Sequence, residues 1–122
     1  MARILYIEDD PVQRDVLAQM LTLYGFEVDT ASNGREGVAK AISQAPDLIL
    51  TDSRMPGMTG FEAIAALRKN VTTADIPIIA LSARVDRHYQ AEALAAGVNK
   101  VFTKPIDIKQ LIPTIKALLA QS

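Results

Sequence analysis

The sequence contains no cysteine and only one histidine, and these two shortages exclude several classes of site. Without cysteine there is no disulfide framework, no thiolate metal site and no thiol nucleophile. His88 alone cannot build a multi-histidine metal centre, and it has no obvious partners for a relay of aspartate, histidine and serine. Metal binding or catalysis in this chain therefore falls to carboxylates, hydroxyls and amines.

Long apolar runs and a strong net charge are also missing. No stretch approaches the ~20 apolar residues that span a bilayer. The first residues, 1–3, run directly into a strand-like segment and lack the apolar core of a signal peptide. The formal net charge of −1 argues against bulk electrostatic binding to nucleic acid. We therefore expect a cytoplasmic protein without membrane insertion and without direct nucleic-acid binding.

The bulk composition is that of one ordinary globular domain. The chain has 122 residues, of which 49% are hydrophobic and 22% are charged. That length and balance are sufficient to bury a core without disulfides or a structural metal. Because no linker or low-complexity segment interrupts the chain, we expect a single domain over residues 1–122.

Five apolar, β-rich runs alternate with five segments of helical periodicity. The predicted strands are Arg3–Ile7, Glu27–Thr30, Leu48–Thr51, Pro77–Leu81 and Lys100–Thr103. Several are almost continuously apolar, as expected for strands covered on both faces, whereas the second is short and polar, which is typical of a sheet edge. The alternation predicts a parallel sheet with right-handed crossovers and helices on both faces.

Polar residues able to cap a helix precede each of the five helical segments. In chain order they are Asp10 before Pro11, Asn33 within Ser32-Asn33-Gly34, Thr59 with Glu62, Asp86 and Asp107. Gly25 and Gly97 follow the first and fourth helices, where a left-handed residue commonly ends a helix, and Ala45-Pro46 marks the end of the second. Pro113 lies inside the last helical segment, where we expect a kink or an irregular first turn.

Acidic, hydroxyl and basic side chains stand at the carboxyl ends of four predicted strands. They are Glu8 and Asp9, then Asp52, Ser82 and Lys104. Because the carboxyl ends of parallel strands share one edge of the sheet, we expect these side chains to converge on one pocket. Three carboxylates, one hydroxyl and one ammonium suit a divalent metal and a phosphoryl group rather than an apolar ligand.

Three carboxylates in one pocket need a cation between them. Two like charges ~4 Å apart repel by roughly 1–4 kcal/mol for effective dielectrics of 80 to 20, and carboxylate oxygens are ligands that Mg²⁺ accepts. The alternative for Glu8 and Asp9 is that they solvate the loop or cap the next helix. Asp10, which precedes Pro11, is assigned to the helix cap and not to the metal.

Each remaining residue also has an ordinary structural explanation. Asp52 precedes a Pro-Gly turn, where aspartate is common, although a carboxylate can also accept a phosphoryl group. Ser82 can cap a helix or turn, and Lys104 can be a surface lysine. Pro105 permits a cis bond that would aim the lysine; such bonds form ~5–6% of X–Pro bonds in folded proteins. Because these residues occur together at the ends of predicted strands, the phosphoryl site is the favoured interpretation.

The chain resembles the receiver domain of response regulators, the phosphoacceptor half of two-component signalling. The resemblance covers the whole chain and rests on four motifs in order: Ile7-Glu8-Asp9-Asp10-Pro11, Asp52-Ser53-Arg54-Met55-Pro56 with Gly60, Leu81-Ser82-Ala83, and Thr103-Lys104-Pro105. It implies the flavodoxin-like, doubly wound (βα)5 α/β fold, with a parallel five-stranded sheet in the order 2-1-3-4-5.

The resemblance also implies how the acidic residues act. By this resemblance Asp52 is the phosphorylated nucleophile. Asp9, Asp52 and the backbone carbonyl of Arg54 are expected to bind Mg²⁺, with Glu8 acting through water. The expected protein is a phosphoacceptor that promotes at most its own phosphorylation and dephosphorylation, not an enzyme acting on an external substrate.

The phosphoryl oxygens and the partners follow from the same resemblance. Ser82 and Lys104 are expected to hold the phosphoryl oxygens, helped by backbone amides near Ser53 and Ala83. The expected donor is a sensor histidine kinase or a histidine phosphotransfer protein. The phosphorylated chain is expected to change its binding to a downstream protein target.

The sequence departs from the family at the position that usually couples the phosphorylation site to the output surface. Members of the family often carry an aromatic residue three positions before the lysine, and this chain has Val101 there, with Phe102 beside it. Strand alternation places these two side chains on opposite faces, so Phe102 is expected to fill the core. We predict a smaller rearrangement, with Tyr89 and His88 of the fourth helix as alternative reporters.

Two other function classes serve as alternatives. An aspartate-nucleophile phosphatase of the haloacid dehalogenase type typically has a second acid two residues after the nucleophile, where this chain has Arg54. A phosphorylation-independent interaction domain on the same fold is disfavoured by the intact set of acids, hydroxyl and lysine. A P-loop or dinucleotide-binding fold would require a glycine-rich loop after the first strand, and this chain has none there.

Overall fold

A computed structural model describes residues 1–52, 60–83 and 86–121. In these ranges strands and helices alternate as β1 Arg3–Ile7, α1 Pro11–Leu23, β2 Glu27–Ala31, α2 Gly34–Gln44, β3 Leu48–Asp52, α3 Gly60–Lys69, β4 Ile78–Ser82, α4 Arg87–Ala96, β5 Lys100–Thr103 and α5 Ile108–Ala120. The strands form one parallel sheet in the order β2-β1-β3-β4-β5, which confirms the predicted fold. None of the helices in the described ranges has the length and apolarity needed to cross a bilayer.

Three strands differ by one residue from the sequence prediction. β2 and β3 each extend one residue beyond the predicted end, and β4 is shifted forward by one residue. Asp52 and Ser82 are therefore the last residues of paired strands, opposite Leu81 and Thr103 respectively. Pairing with the neighbouring strand, which the sequence pattern does not reveal, fixes the backbone of both residues.

Two apolar clusters fill the space between the sheet and the helices, one on each face. One packs α1 and α5 against the sheet and includes Ile4 and Tyr6. The other packs α2, α3 and α4 and includes Leu5 and Ile7. β3 and β4 are buried throughout, as expected for central strands covered on both faces, and β2 lies at the edge as predicted. The helices thus immobilise the two strands that end at Asp52 and Ser82.

Side-chain caps hold four of the helix starts. The carboxylates or amides of Asp10, Asn33, Asp86 and Asp107 accept hydrogen bonds from first-turn amides of α1, α2, α4 and α5. These contacts confirm the predicted caps and satisfy amides that have no partner inside the helix. Thr59, predicted to form a capping box at the start of α3, lies outside the described residues.

Three helices end where the sequence predicts their ends. Gly25 and Gly97 follow α1 and α4 with φ of 94° and 119°, a conformation that favours glycine. α2 ends on Ala45, with φ of 47°, directly before Pro46, where the sequence predicts its end. α5 extends from Ile108 to Ala120 with Pro113 inside it, and the expected kink stays a prediction.

The Arg68 guanidinium joins the end of α3 to two neighbouring segments. Its Nε donates to the Gly97 carbonyl at 2.9 Å, and one terminal nitrogen donates to the carbonyls of Ala74 and Ile76 at 2.9 and 2.7 Å. The other terminal nitrogen donates to the Asn99 side-chain carbonyl at 3.1 Å, which also accepts from the first amide of β4. One cation thus fixes the start of β4 and the end of α4.

We expect Arg68→Met to lower the free energy of unfolding by about 2–3 kcal/mol, because several half-buried carbonyls lose a charged donor. Lys69→Met, at the exposed next position of the same helix, is the matched control and should change it by less than ~0.5 kcal/mol. Urea denaturation followed by circular dichroism measures both values. Equal stability of the two variants would contradict the assigned role of Arg68.

Candidate functional site

The carboxyl edge of the sheet brings the predicted polar residues together. Glu8 directly follows β1, whose last residue is paired with Thr51, so Glu8 lies beside Asp52 at the end of β3. Both are buried, with 1% and 7% of their surface exposed. Lys104 follows β5, and its Nζ lies 3.1 Å from Oε1 of Glu8 and 3.3 Å from Oδ2 of Asp52. Ser82 is buried at the end of the intervening strand β4.

Glu8, Asp9 and Asp52 form a compact group of three carboxylates. One oxygen from each lies within 4.8 Å of the others. The ammonium of Lys104 contacts two of the three, so these four side chains together carry more negative than positive charge when ionised. Closely spaced carboxylate oxygens are the donors that Mg²⁺ prefers, and the donor set therefore fits a divalent cation.

The crowding of acids changes how these groups bind protons. Burial, followed by the neighbouring Asp52, raises the pKa of Glu8 to about 7, against the opposing effect of donors from Asp10 and Lys104. Although burial acts to lower it, contacts with Glu8 and Asp52 raise the pKa of Lys104 above its ordinary value. The lysine therefore stays charged while Glu8 titrates near neutrality.

Tyr6 belongs to this site although the sequence prediction omitted it. Its hydroxyl donates to Oε1 of Glu8 at 3.3 Å, in the buried region beneath the carboxylates. Burial, and then the charge of Glu8, raises the pKa of Tyr6 far above its ordinary value, so the phenol keeps its proton. The available signal was spacing, because residues two apart on a strand share a face.

Gln13 also contacts the site without having been predicted. Its Oε1 accepts from Nζ of Lys104 at 2.8 Å, and its Nε2 donates to Oδ2 of Asp10 at 3.0 Å. The amide therefore connects the cap of α1 to the lysine. Its position three residues after Asp10 places it in the first turn of α1, but contact with Lys104 depends on tertiary packing.

Other predicted site residues lie at the same edge or outside the described ranges. The peptide bond between Lys104 and Pro105 is cis, in agreement with the sequence expectation. Ala83 directly follows β4 and is exposed. Ser53 and Arg54 lie outside the described residues, so their expected contributions stay predictions.

The predicted output residues divide between the interior and the surface. Val101 and Phe102 pack against opposite apolar clusters, as strand alternation predicted. Tyr89 is buried on α4, with its ring centroid 5.4 Å from that of Phe61 on α3 and the rings tilted by 34°. His88 is exposed on the same helix, where it pairs with a glutamate one turn further on. The part of these four residues in signalling stays a prediction.

A groove of about 580 Å³ opens beside Lys104, between α1 and the segment that leads into α5. Its lining is mainly apolar and includes Val12 and Val16 of α1 together with Ile106 and Ile108. Val12 and Val16 are largely exposed. Contiguous exposed apolar side chains commonly mark interaction surfaces, and this surface adjoins the acidic group.

Comparison with known proteins identifies relatives over nearly the whole chain. Residues 4–116 match the family model of the response regulator receiver domain. The chain is 38% identical over 120 residues to the protein PilH of Pseudomonas aeruginosa, covering 98% of this chain and 99% of PilH. It is 34% identical over 122 residues to the DNA-binding dual master transcriptional regulator RpaA of Synechocystis, covering all of this chain but only 51% of RpaA.

Solved structures show the same architecture. The chemotaxis response regulator CheY4 of Vibrio cholerae superposes with a TM-score of 0.91 at 33% identity, covering 97% of this chain and 98% of CheY4. The receiver domain of sensor histidine kinase PA1611 from Pseudomonas aeruginosa, which has a magnesium ion coordinated in its active-site cleft, superposes with a TM-score of 0.91 at 31% identity, covering 98% of both chains.

The raised pKa of Glu8 predicts a pH-dependent stability. Between its ordinary value of 4.5 and its folded value of about 7, the folded chain binds more protons than the unfolded chain. Without divalent metal, the free energy of unfolding is therefore expected to fall as the pH rises from about 5 to about 8.

Urea titrations across this pH range measure that slope. Glu8→Gln removes the titrating group and should flatten the slope, whereas Glu27→Gln, at an exposed position on β2, should retain it. A slope that is unchanged by Glu8→Gln would show that another group controls the pH dependence.

Proposed function

This chain belongs to the response regulator receiver domain family, and from that premise we propose that Asp52 accepts the phosphoryl group. Receiver domains are phosphoacceptor switches of two-component systems and not classical enzymes. The observation that carries the residue assignment is the position of Asp52, a nearly buried carboxylate 3.3 Å from the ammonium of Lys104. The family match over residues 4–116 supports one receiver domain over residues 1–122.

We propose that Asp9 and Asp52 bind Mg²⁺ through their carboxylates and that Glu8 acts on the ion through water. Their oxygens lie within 4.8 Å of one another, and the similar receiver domain of PA1611 contains magnesium in its cleft. When bound, the ion supplies charge neutralisation at the attacking carboxylate and the transferring oxygens. Arg54, whose carbonyl the resemblance adds as a ligand, lies outside the described residues.

The proposed transfer is an in-line displacement at phosphorus. A bond forms from a carboxylate oxygen of Asp52 to phosphorus, and the bond from phosphorus to the donor's imidazole nitrogen breaks. Lys104 turns its ammonium from the carboxylate to one phosphoryl oxygen, and the hydroxyl of Ser82 donates to another. Because both side chains are pre-positioned at the sheet edge, stabilising the transferred charge needs little reorganisation. Water later cleaves the acyl phosphate, and the signal ends.

The proposed donor is a sensor histidine kinase or a histidine phosphotransfer protein, and the proposed reader is a downstream protein. Receiver domains as a family act between histidine kinases and effectors. The apolar groove beside Lys104 supports a protein donor, because Val12 and Val16 expose apolar surface next to the carboxylates. A small-molecule donor does not need such an apolar surface in order to bind.

Incubation with acetyl phosphate and Mg²⁺ tests the assignment of Asp52. Intact-mass spectrometry should detect one phosphoryl adduct on the unmodified chain, no adduct on Asp52→Asn, and an undiminished adduct on Asp15→Asn. Asp15 is an exposed carboxylate on α1 and serves as the matched control. An adduct that survives Asp52→Asn would remove the central assignment.

The proposed route of the signal is tested by a phosphoryl mimic. On adding Mg²⁺ and beryllium fluoride, the backbone amide signals of Ser82, Tyr89 and Val101 are expected to shift, because the hydroxyl moves toward the mimic and α4 and β5 adjust. The amide signals of Val28 and Asp29, on the strand β2 at the other edge of the sheet from β5, should not shift. Two-dimensional ¹H–¹⁵N spectra provide the readout, and an unchanged signal at all three sites would refute this route.

A further inference from the structure

We propose that Tyr6 is a positioning residue whose buried hydroxyl holds the carboxylate of Glu8 in the orientation that Mg²⁺ requires. The inference rests on the proposed function of the three carboxylates and adds a residue beneath them. Tyr6 touches neither the phosphoryl group nor the ion; it acts through Glu8.

The geometry ties both oxygens of Glu8 to the protein. Oε1 accepts from the hydroxyl of Tyr6 at 3.3 Å and from Nζ of Lys104 at 3.1 Å. Oε2 accepts from the backbone amide of Asp10 at 3.2 Å. Tyr6 and Glu8 are 2% and 1% exposed, so bulk water is poorly placed to replace the phenol as a donor.

The carboxylate needs this support because its neighbours repel it. Asp9 and Asp52 present oxygens within 4.8 Å of those of Glu8, and like charges at such distances drive side chains apart unless donors hold them. Lys104 does not hold Glu8 throughout the proposed reaction, because it also contacts Asp52 and turns toward a phosphoryl oxygen during transfer. The proposed transfer does not require the hydroxyl of Tyr6 to leave Glu8.

A tyrosine is chemically suited to this position. Its hydroxyl donates a hydrogen bond without adding positive charge, whereas a second cation would compete with Mg²⁺ for the same carboxylate. The ring is packed in the apolar cluster under α1 and α5, so the donor stays in place when Lys104 moves. Outer partners that orient a metal ligand typically contribute about 10–100-fold to metal affinity.

Removing only the hydroxyl tests the proposal. Tyr6→Phe keeps the ring in the core, and its Mg²⁺ dissociation constant is expected to rise about tenfold, the low end of the usual range for an outer partner. Titration of the amide signals of Asp9 and Asp10 with MgCl₂ measures the constant. Tyr24→Phe, the same change at an exposed residue after α1, should leave it unchanged.

A double-mutant cycle separates positioning from a general effect on stability. If Tyr6 acts through Glu8, Tyr6→Phe should have no further effect on Mg²⁺ affinity in a Glu8→Gln background, because the shared contact is already altered. A merely structural role would lower the thermal unfolding temperature in both backgrounds and leave the Mg²⁺ dissociation constant of the single variant unchanged. That result, or additive losses of affinity, would overturn the proposal.

A second measurement uses the unmodified chain, so the test does not depend on how the variant folds. With ¹³Cζ-labelled tyrosine, the Tyr6 resonance is expected to shift on Mg²⁺ saturation while that of Tyr24 stays constant. An unmoved Tyr6 resonance, with Mg²⁺ bound and Asp52 phosphorylated normally, would overturn the inference and leave the proposed function intact. A chain that binds no Mg²⁺ would overturn both.

Discussion

Like-charge crowding at one edge of the sheet is the constraint on which the rest of this structure depends. The strand order places β1 beside β3, so Glu8 and Asp52 end neighbouring strands and lie nearly buried together with Asp9 nearby. Such a group is unfavourable in isolation. The fold maintains it with a lysine, a buried phenol and a helix-start amide, and an incoming cation relieves the remaining repulsion. The same charge excess that lowers stability therefore favours the proposed binding of a divalent metal ion.

The apolar framework makes that crowding tolerable. β3 and β4 are buried along their full length, and helices cover both faces through two separate clusters. β1 and β3, which carry Glu8 and Asp52 at their ends, cannot move apart to relax the repulsion, because they are paired and their residues from Ile4 to Ile7 and from Leu48 to Asp52 are buried. The core therefore pre-forms the proposed phosphoryl site.

Local signals in the sequence predicted more than tertiary ones did. Asp10 was assigned to the helix cap because proline follows it, and Val101 and Phe102 were assigned to opposite faces by strand alternation; the structure confirms both. Tyr6 was missed although it lies two residues before Glu8, a spacing signal that the prediction did not use, whereas Gln13 escaped prediction because its contact with Lys104 joins segments that only packing brings together. The strand ends at Asp52 and Ser82 were misplaced by one residue for a similar reason, since pairing with β4 and β5 extends them. The strand order itself came from family resemblance, because alternation alone leaves several orders possible.

Arg68 gives α4 a fixed base. Its guanidinium holds the carbonyl of Gly97 directly after the helix and, through Asn99, the start of β4. A helix of ten residues is about 15 Å long, so a rotation of about 10° around that base displaces the opposite end by roughly 2.6 Å. The opposite end carries Asp86 and Tyr89. The guanidinium therefore anchors the end of α4 that is distant from the carboxylates, and the end that follows Ser82 along the chain is the one that such a rotation would displace most.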